Sequence, residues 1–331
     1  MLIVADQAIP FLDGVFEPFA DVVRMPGREI SAADVRCADA LIVRTRTRCD
    51  AALLEGSSVK LVITATIGFD HIDTGYCRRR GIRVVTAAGS NARGVLQWVA
   101  GTLARLCEVQ GWSPRERTLG IVGVGHVGRL VEEYSRMWGF RVLRCDPPRA
   151  ARGEKGFVTL ERIAAESDIV TFHTPLDPTT RHLAGERFFA ALRRECTVIN
   201  SSRGEVVDTA ALLRSGLPCA VDVWENEPDI DRRLLDRAVV ATPHIAGYSA
   251  QGKANASAIA VAAAAEHLHL PVEGWYPPQV APASPQPIEW DAMRATIGRY
   301  FDADAETRRL REHPEEFERL RNDYRYRNEY F

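Results

Sequence analysis

The segment Gly123-Val124-Gly125-His126-Val127-Gly128 limits the fold of this chain more than any other feature. It reads G-x-G-x-x-G. An apolar β-branched run at 118–122 precedes it, and a helical pattern at 127–138 follows. A glycine triplet alone occurs in many turns; between a strand and a helix it has a mechanical reading. Gly123 permits the tight turn, Gly125 lets the backbone approach a pyrophosphate, and Gly128 lets the helix pack closely on the strand. The helix start, with His126 and Val127 in its first turn, offers unpaired N–H groups and a partial positive charge to phosphates. A further run, 140–145, ends at Asp146, 18 residues beyond Gly128. A carboxylate there accepts the ribose hydroxyls of an adenosine and repels a 2′-phosphate, which favours NAD over NADP. Arg144 and Arg149 stand close by in sequence and weaken that preference.

The same alternation of short apolar runs and helical stretches fills most of the chain. Strands are expected at 2–5, 40–43, 61–64 and 82–85, then at 118–122, 140–145, 168–172, 197–200, 219–223 and 239–241. Strands this short and apolar suit parallel sheets covered on both faces by helices, so the pattern predicts doubly wound α/β architecture. Two series of strands predict two lobes. A long helix at 91–110 can join them, and an alanine-rich helix at 250–268 can pack back on the first. Six prolines between Pro271 and Pro287 then mark a linker. Residues 290–331 are aromatic and charged, with a helical stretch at 314–327. They are too few for a core of their own and are expected to cover another surface, such as that of a second subunit.

Composition excludes several classes of function. A chain of 331 residues, 46% hydrophobic, can fill two cores and an appendage. Its net charge of -2 points to neither nucleic acid nor membrane. Lys60, Lys155 and Lys253 are the only lysines, so arginine is a general bias here and each arginine needs its own argument. The seven cysteines are scattered, with no C-x-x-C, which argues against a disulfide framework and against a zinc site, and no metal is expected. The first residues turn polar too early for a signal peptide, and 256–265 is half a membrane span. A cytoplasmic location is the expectation.

Three segments place charged side chains just after expected strands. Asn200-Ser201-Ser202-Arg203-Gly204 follows 197–199, Asp222-Val223-Trp224-Glu225-Asn226-Glu227-Pro228 follows 219–221, and Thr242-Pro243-His244-Ile245-Ala246-Gly247 follows 239–241. In an open α/β sheet the carboxyl ends of the strands face the ligand crevice. Any one segment read alone is an ordinary turn or helix start. Together they offer what oxidation of a secondary alcohol needs. His244 can take the hydroxyl proton. Glu227 can orient the imidazole and stabilise its charged form. Arg203 can hold a substrate carboxylate through two parallel hydrogen bonds.

These segments, with 120–128 and Phe172-His173-Thr174-Pro175-Leu176, give the chain its likeness to known proteins. Over residues 1–270 it resembles the D-isomer-specific 2-hydroxyacid dehydrogenases. The resemblance implies a flavodoxin-like substrate lobe (1–92 with 247–270), a Rossmann NAD lobe (93–246) and a small α+β dimerisation segment (271–331). It implies Arg203 as substrate arginine, Glu227 as histidine partner and His244 as acid/base. It implies Thr174, Ser201, Ser202, Asp222 and Gly247 at the NAD site, beside the glycine loop and Asp146.

Further segments resemble one branch of that family, which acts on a phosphorylated 2-hydroxy acid as a homodimer. They are Val43-Arg44-Thr45, Thr64-Ala65-Thr66-Ile67-Gly68-Phe69-Asp70-His71, Cys145-Asp146-Pro147-Pro148-Arg149 and His244-Ile245-Ala246-Gly247-Tyr248. The resemblance implies substrate contacts from Thr45, Thr66, Gly68 and Tyr248. If the strand 40–43 continues, Arg44, Arg46 and Arg48 share one face as a cationic rail for a phosphate. In place of the family's Arg-Arg-Glu near the end, this chain has Arg327-Asn328-Glu329, and its tail is shorter, which puts an arginine contact to a partner subunit in doubt. Two alternatives stay open: a relative acting on phosphoglycerate or on glyoxylate and hydroxypyruvate, and a non-catalytic NAD sensor of the same fold.

Overall fold

The structure, a computed structural model, describes residues 1–331. The chain forms two compact units: residues 1–91 with 249–283, and residues 92–248 with 284–331. No helix is long and apolar enough to cross a membrane.

The first unit is built on β1 (Leu2–Asp6), β2 (Asp21–Met25), β3 (Ala40–Val43), β4 (Leu61–Thr64) and β5 (Arg83–Thr86). All pair in parallel, in the order β2-β1-β3-β4-β5, the flavodoxin-like order. Both β3 and β4 are buried along their whole length, as strands covered on two faces must be. One face packs on the helix Ala250–Leu268 through Ala260, Val261 and Ala264 against Ile42 and Ile63. Alanine favours this helix and keeps it thin enough to lie close to the sheet. Ser249 caps it by accepting from the Gly252 amide at 3.0 Å, and His269 closes it in the left-handed region. The strand β2 has no counterpart among the expected strands. It is a half-exposed edge strand between Pro18 and Pro26, so it lacks the apolar signature of the buried strands.

The second unit holds β6 (Thr118–Val122), β7 (Arg141–Cys145), β8 (Ile169–Phe172), β9 (Thr197–Asn200), β10 (Cys219–Val221) and β11 (Val240–Ala241). They are parallel in the order β11-β10-β9-β8-β6-β7. Strand order reverses at β6, so the crevice for a ligand opens beyond the carboxyl ends of β6 and β8.

Residues 284–331 are part of this second unit and contain three α-helices, Trp290–Thr296, Ala303–Glu312 and Phe317–Asn322, with no strand, so the expected α+β character is corrected to helical. The tail also completes a core in its own chain. Trp290, Met293, Ile297, Phe301 and Phe331 join one apolar cluster with Trp98, Trp112, Tyr134 and Trp138. Trp290 lies 5.5 Å from Trp138, and Phe331 lies 5.3 Å from Tyr134, centroid to centroid. Aromatic rings that cannot build a core alone gain burial by joining an existing one. The expected proline-rich stretch is irregular between the helix ending at Leu268 and the one starting at Trp290, and the chain passes into the second unit at residues 283 and 284.

Candidate functional site

The glycine loop has the geometry a bound pyrophosphate needs. Gly123 sits at φ +86, and a Cβ there would lie 2.7 Å from the His173 carbonyl. A Cβ on Gly128 would lie 2.1 Å from the Gly123 carbonyl. Both positions therefore exclude every side chain. Around Gly125 a Cβ would meet nothing within 4 Å, so the loop leaves open space where backbone meets ligand. The helix His126–Met137 starts immediately after, and no side chain caps it. Its first N–H groups stay available to an anion.

Asp146 stands at the end of β7 as expected. It accepts from the Arg149 amide at 3.1 Å and from the Val124 amide at 2.9 Å, which ties the glycine loop to β7. The two arginines that weakened the case for NAD are engaged elsewhere. Arg144 pairs with Glu132 at 3.2 Å, Arg149 pairs with Glu154, and both lie near the Phe157 ring. Thr174 Oγ1 and Ser201 Oγ are buried with no hydrogen-bond partner in the chain. An unmade bond at a buried hydroxyl costs about 1–3 kcal/mol, so each marks a place where a bound polar group would fit. Ser202 differs: its hydroxyl donates to Asn200 Oδ1 at 2.8 Å and holds the loop. The residues at this crevice fit a dinucleotide.

Strands β9, β10 and β11 are neighbours, and the expected trio follows them in that order. Asn200 Nδ2 donates to the Arg203 carbonyl at 2.8 Å and shapes the turn. A Cβ on Gly204 would lie 2.1 Å from the Trp224 carbonyl, so the Arg203 turn packs directly on the segment leading to Glu227. Glu227 Oε2 meets His244 Nδ1 at 2.8 Å, and its Oε1 accepts from the Trp224 amide at 2.9 Å. Burial penalises this carboxylate. His244, Arg321 and the Trp224 amide outweigh the penalty and hold its pKa below the ordinary glutamate value. His244 itself lies at φ +58, where a residue with a Cβ stays only when its surroundings fix it.

Those surroundings centre on Asp222. Its carboxylate is buried and accepts from Thr242 Oγ1 at 2.6 Å, the Ile245 amide at 2.8 Å and the Ala246 amide at 3.0 Å. Burial raises its pKa, although these donors and His244 oppose the rise. Asp222, expected at the NAD site, also organises the loop that carries His244 and Gly247. Trp98 Nε1 in turn donates to Thr242 Oγ1 at 2.9 Å.

Sequence reasoning missed Arg321 and met Arg327 only as a doubtful contact to a partner subunit; the structure brings both, from the tail, to this site. Arg327 is buried and donates to the carbonyls of Ile245 (3.2 Å), Ala246 and Gly94 (2.7 Å), and to the Tyr324 hydroxyl at 3.1 Å. It fastens the far side of the His244 loop from within the same chain. Arg321 Nε donates to the Tyr248 hydroxyl at 3.1 Å, and its Nη1 lies 3.8 Å from Glu227 Oε2. Burial opposes its charge, but Tyr248 and Glu227 raise its pKa overall. No motif flags Arg321, because a general arginine bias hides single functional arginines.

In the first unit, Arg44, Thr45 and Arg46 follow β3, while Thr66 and Gly68 follow the adjacent β4. The rail of alternating arginines is corrected. The strand ends at Val43, and the Thr47 amide closes a turn on the Arg44 carbonyl at 3.2 Å. Arg44 pairs with the fully buried Asp6 at 2.9 Å, and Arg48 turns out to Asp50 at 2.7 Å. Thr66 Oγ1 donates to the Gly68 carbonyl at 3.0 Å and meets Thr64 Oγ1 at 2.6 Å.

Residues 86–246 match the family described as D-isomer specific 2-hydroxyacid dehydrogenase, NAD binding domain. An erythronate-4-phosphate dehydrogenase of Bacteroides thetaiotaomicron is 44% identical across 99% of this chain and 97% of its own length. Another, from Ectopseudomonas mendocina, is 48% identical across 82% of this chain and 73% of its own. Among solved structures, the NAD+-bound 3-phosphoglycerate dehydrogenase of Entamoeba histolytica superposes with a TM-score of 0.67 at 25% identity, covering 80% of this chain and 93% of that one.

Proposed function

The chain belongs to the D-isomer-specific 2-hydroxyacid dehydrogenases, and from that premise we propose that it oxidises 4-phospho-D-erythronate to 2-oxo-3-hydroxy-4-phosphobutanoate with NAD, in pyridoxal 5′-phosphate biosynthesis. The observation that carries the reading is the near full-length relationship to the Bacteroides thetaiotaomicron protein, joined to the Glu227–His244 pair at 2.8 Å.

Bound NAD supplies the hydride acceptor, held by the glycine loop, Asp146, Thr174 and Ser201. The chain does the rest. Nδ1 of His244 faces Glu227, so Nε2 is the nitrogen left for the substrate hydroxyl. Nε2 takes the hydroxyl proton as the C2–H bond gives up its electron pair, and the C2–O bond becomes a carbonyl. Glu227 balances the imidazolium that results. Arg203 holds the carboxylate and polarises the forming carbonyl. Arg44, Thr45, Arg46, Thr66, Gly68 and Tyr248 are assigned to the phosphorylated end. The active form is a cytoplasmic homodimer, a reading supported by the seven free cysteines and by the branch it resembles.

A steady-state assay with 4-phosphoerythronate, NAD and a 2-oxo acid to recycle NADH tests the reading. Saturable turnover is expected. Absence of turnover, with good rates on 3-phosphoglycerate or glyoxylate, assigns the chain to a different branch. Sedimentation at micromolar concentration tests the dimer.

A further inference from the structure

We propose that Arg321, carried by the C-terminal tail, is a positioning residue for the acid–base pair: its charge balances Glu227 whenever His244 is neutral. The inference rests on the reading of His244 and Glu227 as that pair.

The pair must work in two charge states. Before hydride transfer His244 is neutral; afterwards it carries the substrate proton. Glu227 is 18% exposed at its side chain and faces both states of the imidazole. While His244 is neutral, a buried carboxylate with no cation beside it would tend to take a proton itself. It would then lose its grip on Nδ1, and the imidazole would lose the tautomer that leaves Nε2 open. Arg321 is the cation at hand. Its side chain is 17% exposed, its Nη1 lies 3.8 Å from Glu227 Oε2, and the bond from Nε to Tyr248 fixes the direction of the fork.

The other charged and titratable groups around the pair come from three elements. Glu227 and Asp222 face the pair from the loops after β10, and His244 and Tyr248 come from the loop after β11. Glu318 faces Arg321 from its own helix. Among these groups Arg321 is the arginine paired with Glu227, and Arg203 lies on the turn that packs against the segment leading to Glu227. The phenol of Tyr248 is itself braced by Tyr324 and Tyr326, with ring centroids at 6.3 and 6.0 Å. The helix Phe317–Asn322 and the aromatic segment after it therefore present one guanidinium to the catalytic carboxylate.

The test is the pH profile of kcat/KM for oxidation of 4-phosphoerythronate by the intact enzyme with NAD. In Arg321→Gln the loss of a nearby cation favours the proton on the pair. The acidic limb moves up by about one pH unit, and the rate at neutral pH falls while NADH binding persists. In Arg321→Lys the charge remains and the limb stays where it is. A uniform loss of rate with an unmoved limb in Arg321→Gln would make Arg321 merely structural and overturn the proposal. If the Gln variant does not fold, a limb that rises in the Lys variant overturns it equally. His244→Gln separates the two levels. Should it keep turnover, the acid–base reading falls and this inference with it. Should it lose turnover while the Arg321→Gln limb stays fixed, only this inference falls.

Discussion

In the first unit the arginine at the end of β3 is held by a carboxylate at the end of β1: Arg44 against Asp6 at 2.9 Å. In the second unit the order is reversed. The carboxylate Glu227 stands at the centre, and an imidazole and an arginine from the far end of the chain gather on it. Both units are parallel sheets with loops at the carboxyl ends of adjacent strands, so topology alone does not separate them. What separates them is bracing. The His244 loop is fixed by Asp222 on one side and by Arg327 on the other, through four hydrogen-bonded amide or carbonyl positions at Ile245 and Ala246. The loop after β4 has the Thr66 hydroxyl inside it and exposed Ile67 and Phe69 at its tip. A proton-transfer site demands fixed geometry, because a small displacement of the base costs orders of magnitude in rate. The loop after β4, proposed to meet a small phosphorylated substrate, would gain from adapting to it.

This contrast can be broken at several points. His244→Gln should lower kcat by about 10²–10⁴-fold, the usual value of a general acid–base, and leave NADH binding by fluorescence intact. Equal loss of binding would place the histidine in the cofactor site instead. Arg327→Met comes next. Removing a buried guanidinium that reaches four acceptors should destabilise the second unit by about 3–5 kcal/mol in urea unfolding. Five of the six tryptophans lie in that unit, so their fluorescence reports it selectively. A loss confined to the Trp275 environment would contradict the assignment of the tail.

The first unit gives a smaller effect. Arg44→Ala should raise KM for the phosphorylated substrate about tenfold, the 1.4 kcal/mol of one charge contact, with kcat little changed. Asp6→Asn is its control, since it frees the guanidinium and keeps the shape. If both variants lower Tm and neither moves KM, Arg44 is a counter-ion for Asp6 and no more. The smallest effect concerns pH. The Glu227 pKa is lowered in the folded state, so its pairing stabilises the protein above the ordinary glutamate value. That contribution is lost as pH falls through the lower, folded value. Acid titration of Tm should therefore be shallower in Glu227→Gln than in the parent chain.

Much of this architecture was legible in the residues. The strands that carry the site are buried on both faces, and burial writes itself as unbroken apolar runs, so β3, β4, β6 and β9 fall at the expected residues. The edge strand β2 escaped because one side of it faces solvent and its apolar residues are interrupted. The glycines were legible because no side chain fits where Gly123 and Gly128 sit. The arginine rail was not, because it assumed a strand that in fact ends in a turn at Arg44.

The sequence by itself determined the parallel α/β elements, the glycine turn after β6 and the positions of Arg203, Glu227 and His244 just after adjacent strands, since each depends on neighbours within a few residues. Tertiary structure alone decided that Asp222 serves the His244 loop, that Arg44 is tied to Asp6, and that the tail enters the core of the second unit. It alone brought Arg321 and Arg327 to a loop some 80 residues earlier in the chain. Such contacts arise where aromatic and guanidinium groups from distant segments find burial and acceptors together, and no local spacing records that meeting.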